Sequence, residues 1–159
     1  MIIKIYTDGS AKGNPGKGGY GIVIKNNKSH TEISKGFRLT TNNRMELLAV
    51  IVALEKIEKT TNEVIVTSDS KYVIDAVTKG WVFNWEKKGF KKKKNPDLWK
   101  RFLKIYPKNK IIFKWVPGHS GHIENERCDE LAVNASINND LEIDSFFENS
   151  QKEPPNLFS

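Results

Sequence analysis

The sequence predicts an α/β fold: a five-stranded mixed sheet, an antiparallel meander joined to parallel strands, with helices on both faces. Three observations carry this. The first forty residues alternate in polarity with period two between short turns. Two strand–helix alternations follow, and a chain of 159 residues is long enough for one domain with a core of its own.

In chain order, Ile3, Ile5 and Thr7 alternate with Lys4, Tyr6 and Asp8. This predicts a strand ending on a carboxylate at the glycine-rich turn Gly9–Gly21. Tyr20, Ile22 and Ile24 mark a second strand, Asn26–Ser29 breaks it, and His30–Leu39 resumes as a third, completing the meander. Thr40-Thr41-Asn42-Asn43 offers caps for a helix over Arg44–Lys59, whose wide apolar arc predicts cover on more than one side. Val64–Ser68 reads as a buried parallel strand closed by Asp69-Ser70, and Lys71–Thr78 as a helix. Trp81–Lys94 is an aromatic and basic segment, Asn95-Pro96-Asp97 opens a helix over Leu98–Tyr106, and Lys110–Val116 is the last strand. Pro117–His122 is a loop, and Glu124–Ile137 the final helix, with Cys128, Leu131, Ala132 and Ala135 on one face. Right-handed crossovers place the first strand in the middle of the sheet, so that Asp8 and Asp69 end neighbouring strands at one edge.

Charge is concentrated. The excess of 26 Lys+Arg over 19 Asp+Glu, +7 in all, gathers at Lys87, Lys88, Lys91–Lys94, Lys100, Arg101 and Lys104, which favours a polyanionic partner. The single cysteine, Cys128, excludes an internal disulfide and reads as core filler. No apolar run is long enough to span a bilayer, and Met1 leads straight into a strand; the expectation is a cytoplasmic protein with no membrane contact.

Four carboxylates, Asp8, Glu46, Asp69 and Asp129, each lie near the end of an apolar segment. Converging on one spot they would need a metal, because like charges in contact raise one another's pKa until cations arrive. Each has a plainer alternative. Asn43-x-x-Glu46 fits a capping box, and Asp69 or Ser70 fits a cap for the following helix. Asp129 caps nothing inside its helix, so solvent exposure is its alternative.

The motifs Thr7-Asp8-Gly9-Ser10 with Asn14-Pro15-Gly16, Thr41-Asn42-Asn43-Arg44-Met45-Glu46, Ser68-Asp69-Ser70, and Gly118-His119-Ser120-Gly121-His122 followed by Glu124–Ala132 closely resemble prokaryotic-type ribonuclease HI. The match runs in register from Ile2 to about Ala135. It implies a ribonuclease H-like catalytic domain over 1–137, with a compact basic protrusion at about 81–99; beyond it, the polar, proline-bearing composition predicts a flexible tail over 138–159. The implied activity is endonucleolytic hydrolysis of the RNA strand of an RNA–DNA hybrid, leaving 5′-phosphate and 3′-hydroxyl ends. Two Mg²⁺ ions, or Mn²⁺, would be held by the four carboxylates with Asp8 bridging; hard cations suit a site without thiolate or imidazole. The resemblance assigns His119 to proton transfer or product release. His122 reads as a cap or loop support.

Recognition of RNA requires contacts to 2′-hydroxyls across the shallow minor groove. Asn14, Asn42 and Ser70, with the backbone amides of Gly9 and Ser10, are the candidates, and Thr41 and Asn43 would engage the phosphates of the DNA strand. Turn and cap roles are their alternatives. Trp81, Trp85, Phe90 and the lysines Lys87, Lys88 and Lys91 suit a surface that tracks the DNA strand, although the Trp81/Trp85 spacing also fits one buried helix face. Lys71 departs from the family, which commonly has glutamine there; it can still reach the backbone. Two other readings stay open: a non-catalytic hybrid or duplex-RNA binding module, and a resolvase- or integrase-like nuclease. A monomer is expected, and Leu157-Phe158 at the end of the tail suggests only a weak tail-mediated protein contact.

Overall fold

The computed structural model describes residues 2–152. Strands β1 (Ile2–Ala11), β2 (Gly16–Lys25), β3 (His30–Thr40), β4 (Glu63–Ser68) and β5 (Ile111–Trp115) form one sheet in the order β3-β2-β1-β4-β5. As expected, β1 is central. It pairs antiparallel with β2, Asp8 facing Gly21, and parallel with β4, Thr7 facing Ser68.

Strand alternation sorts the helices. Ile3, Ile5, Thr7 and Gly9 share a face with Tyr20, Ile22 and Ile24 across the β1–β2 register, and α1 (Asn42–Ile57) lies on it. A Cβ on Gly9 would stand 2.4 Å from the Met45 carbonyl carbon. The opposite face receives α5 (Ile123–Ser136): a Cβ on Gly21 would stand 2.2 Å from the Cys128 oxygen. Helices α2 (Lys71–Thr78), α3 (Trp81–Lys87) and α4 (Pro96–Ile105) fill the stretch between β4 and β5. The core under α1 joins Ile5, Ile22, Met45, Leu47, Ile51, Leu54, Val64 and Val66 to Trp99 and Phe102 of α4, all fully buried. Helix α1 is apolar over a wide arc because β1, β2 and α4 all pack against it.

Most element bounds move by one or two residues, and two of the shifts bear on the site. Helix α1 begins at Asn42, not Arg44, because Thr41 is its cap: Thr41 Oγ1 accepts from the Arg44 amide at 3.2 Å. β1 does not stop at Asp8; pairing with Gly18 and Gly19 carries it on to Ala11.

The larger correction concerns the chain after Asn138, expected to be flexible. Residues 138–152 turn back over the edge of β3. Glu142 bridges Phe37 in parallel, its amide donating to the Gly36 carbonyl at 2.8 Å and its carbonyl accepting from Arg38 at 3.0 Å. Helix α6 (Ser145–Ser150) follows, capped by Asp144. Asp144 is buried and takes two bonds from Arg44 and one from the Thr40 hydroxyl. Arg44 also grips Asp97 at the start of α4, through Nη1 at 2.9 Å and Nη2 at 2.7 Å. A buried guanidinium needs such forked acceptors. Leu157-Phe158 lies outside the described residues.

Candidate active site

Three of the four expected carboxylates meet. β1 carries Asp8 at the sheet edge, and the parallel register sets Asp69, one residue past β4, beside it. Glu46 arrives from α1, which approaches closely because Gly9 has no side chain: a Cβ there would also fall 2.5 Å from the Glu46 amide. One oxygen from each of Asp8, Glu46 and Asp69 lies within 4.8 Å of the other two. Asp129, half-buried on α5, stands outside this tight trio but lines the same two cavities as Asp8 and Asp69, a small one and a larger, more open one.

The electrostatics of the trio favour a bound cation. Glu46 Oε1 and Asp69 Oδ1 are buried without a hydrogen-bond partner, an arrangement that costs free energy unless something positive supplies the missing contact. Burial, then the charge of Asp69, pushes the Asp8 carboxyl up to about 7, against the opposing hydrogen bond from the Gly9 amide. Burial and the charges of Asp8 and Asp69 hold Glu46 well above the usual carboxylate range. The donors are all carboxylate oxygens, so the residues fit a hard divalent cation.

The capping alternatives resolve individually. Glu46 closes no capping box, since the cap is Thr41. Asp69 does not cap α2; Ser70 does, its Oγ accepting from Val73 at 3.2 Å. Ser70 is thus a cap and a wall of the larger cavity together.

His119 lines both cavities in a left-handed backbone conformation, φ 54°. Its neighbour Gly118 lets the loop rest on Asp69: a Cβ there would meet Asp69 Oδ2 at 2.8 Å. His122, expected as a cap or loop support, occupies the N-cap position of α5 but makes no capping bond, and it faces the smaller cavity. Sequence reasoning passed over Asn125, whose Oδ1 is buried and unpartnered at the same cavity; one amide in an acidic helix start gave no periodic signal. Cys128 is core filler as expected, its thiol donating to the Tyr6 carbonyl at 3.2 Å and pushed up by burial.

Gly9, Ser10, Asn42, Asn43, Ser70 and Lys71 line the larger cavity. The Gly9 amide, expected to face a ligand, is already given to Asp8 Oδ1 at 2.9 Å. Asn14 and Asn42 hold the turn against α1: Asn14 Oδ1 accepts from the Asn42 amide at 3.0 Å, and Asn42 Oδ1 accepts from the Ala11 amide. Their NH₂ groups remain available as donors. Asn14, Thr41 and Asn43 line an adjoining cleft whose far wall carries Lys93 and Lys94.

The protrusion divides. Lys87, Lys88 and Lys91 are exposed. Trp81 is 45% exposed, so α3 is anchored by Val82 and not by a Trp81/Trp85 face. Trp85 packs edge-on against Trp99, with the Lys93 ammonium 5.2 Å above its ring. Phe90, expected on the surface, is buried: the left-handed turn at Gly89-Phe90, φ 66° and 58°, folds it inward.

A family model described as RNase H matches residues 2–137. A ribonuclease H of Trichodesmium erythraeum is 54% identical over 147 residues, covering 89% of this chain and 93% of that protein. Among solved structures, LC9-RNase H1, a type 1 RNase H with the type 2 active-site motif, superposes with a TM-score of 0.76 at 32% identity over 85% of this chain and 72% of that one. LC11-RNase H1 in complex with an RNA/DNA hybrid gives 0.64 at 32% identity, covering 84% and 95%.

Proposed function

This chain belongs to the RNase H family as a prokaryotic-type ribonuclease HI that cleaves the RNA of RNA–DNA hybrids, and from that premise we propose a two-metal hydrolysis giving 5′-phosphate and 3′-hydroxyl ends. The observation that carries it is the trio Asp8, Glu46 and Asp69, with two buried oxygens left unpartnered.

Asp8, Glu46, Asp69 and Asp129 would hold the cations, Mg²⁺ or Mn²⁺. Bound there, such ions cancel phosphate charge, supply a nucleophile at neutral pH and stabilise the leaving oxygen. The chain's own residues position and protonate. Water adds to phosphorus, the P–O3′ bond breaks, and the departing 3′-oxygen gains a proton. His119 suits the proton's transfer, since an imidazole ring can take a proton at one nitrogen and give one up at the other, and its loop reaches both cavities.

The free amide donors of Asn14 and Asn42, the Ser70 hydroxyl and the Ser10 backbone would read 2′-hydroxyls, with the Gly9 amide committed to Asp8. Thr41 and Asn43 would hold DNA phosphates in the cleft that Lys93 and Lys94 close. Trp81, Trp85, Lys87, Lys88 and Lys91 would extend that track, displacing counterions. The lone free thiol, buried, suits a reducing compartment such as the cytoplasm, and among the described residues no helix is long and apolar enough to cross a membrane.

Labelled hybrid, duplex DNA and duplex RNA, each with Mg²⁺ or chelator, test the proposal. Expected is Mg²⁺-dependent cutting of hybrid RNA alone, with products that accept phosphate at their 5′ ends only after phosphatase treatment. Cutting in chelator, or 3′-phosphate ends, would overturn it.

A further inference from the structure

Of the two acid-lined cavities, only the larger has an ammonium at its wall. Among the described residues lining either, Lys71 is the sole lysine or arginine, and none of the described ion pairs includes it. Its Nζ lies instead over the Trp115 ring, 4.6 Å from the centroid. Trp115 ends β5 opposite Ser68 and is 40% exposed. Its indole Nε1 donates to the Asp69 carbonyl at 3.0 Å. One ring is therefore tied at its edge to the turn that carries Asp69, and offers its face to the cation two residues further on.

Helix propensity does not explain the lysine. Lys71 is the first residue of α2, where the helix dipole favours an anion, and the first turn of α2 contains no acid. A residue that opposes its local structure, at the rim of a reaction site, points to use. Resting on Trp115 also keeps the long side chain off the carboxylates, which would otherwise capture it and lose acceptors for cations. The ring's hold on an ammonium is weak compared with a charge-assisted bond to phosphate, so an incoming polyanion can take the cation over.

We propose that Lys71 binds a backbone phosphate of the hybrid at the cleft rim, transferring to it from Trp115, which is its positioning residue. The inference rests on the hybrid-nuclease reading and deepens it. Lysine, a point charge, would contribute affinity that falls with salt, not base or sugar discrimination.

Steady-state cleavage of one hybrid across a range of KCl decides it, using the full chain, Lys71→Met, Lys71→Gln, Trp115→Leu and Lys71→Met/Trp115→Leu. Both Lys71 variants should raise KM about five- to twentyfold at low salt, leave kcat within about twofold, and reduce the slope of log KM against log[KCl] by about 0.7–0.9, one phosphate contact. Trp115→Leu should raise KM less than twofold further when Lys71 is already methionine. Unchanged KM and slope in the Lys71 variants would overturn the phosphate contact. KM penalties that multiply in the double variant would overturn the Trp115 assignment. Wild-type protein that cleaves no hybrid would remove the underlying reading, an outcome distinct from normal cleavage shared by wild type and variants.

Discussion

Arg44 and Asp144, a hundred residues apart, form a two-bond ion pair, Nε to Oδ2 at 2.7 Å and Nη2 to Oδ1 at 2.9 Å, with 3% and 8% of their side chains exposed. The same guanidinium holds Asp97. One cation thereby ties the C-terminal segment, the start of α1 and the start of α4 together, directly beside the cleft of Thr41 and Asn43.

Asp144→Ala would leave Arg44 buried with only Asp97 to balance it, and an uncompensated charge costs more than the pair contributes. The expected loss is about 2–4 kcal/mol, or about 6–12 °C in Tm for a domain of this size. Calorimetry of the purified variant measures it; a shift under about 2 °C would show that the pair is idle.

Asp8→Asn removes the central acid and one source of repulsion. With Mg²⁺, kcat should fall by at least about a thousandfold while hybrid binding stays within a few-fold. In chelator, the same variant should melt higher than wild type, because the trio loses a charge. Retained turnover, or a lower Tm in chelator, would contradict the site as described.

The pH dependence follows from Asp8, whose folded-state pKa of about 7 lies above its ordinary 3.8. Between those values the metal-free folded chain binds more protons than the unfolded one, so its stability is greatest toward the acid end and declines as pH rises through 7. Cations favour the ionised trio. The Tm gain on adding Mg²⁺ should therefore grow from pH 5.5 to pH 8, by about 5 °C or more. Melting curves with and without Mg²⁺ at each pH check this, and a constant gain would exclude the assignment.

Gly9→Ala tests the approach of α1. Its methyl would meet the Met45 carbonyl carbon at 2.4 Å and the Glu46 amide at 2.5 Å, so α1 must retreat and take Glu46 with it. A stability loss of about 1–3 kcal/mol should accompany a fall in kcat larger than the change in KM. Wild-type kcat in the variant would mean that the position of Glu46 is not critical.

Strand order and the meeting of Asp8 with Asp69 were legible because period-two alternation and right-handed crossovers leave few arrangements. Glu46 was legible as a residue type at a familiar spacing, but its capping alternative could be dismissed only once Thr41 was seen to cap α1. Less could be read where partners are distant and unpatterned. Nothing in the spacing of Arg44, Asp97 and Asp144 announces a three-way ion cluster, so the polar chain past Asn138 read as a tail. Phe90 sits in a lysine run, and a left-handed turn that composition does not reveal buries it. Lys71 and Trp115 are 44 residues apart in number and meet only because β5 pairs with β4.

The strap laid by Glu142 along β3 has a consequence for anyone shortening this protein. It occupies backbone groups of Gly36 and Arg38 that would otherwise offer a template to another chain. Ending the polypeptide before Leu141 would uncover that template along with the flank of Phe37, and fibrous or clumped material, rather than a smaller working nuclease, is what such a truncation should yield.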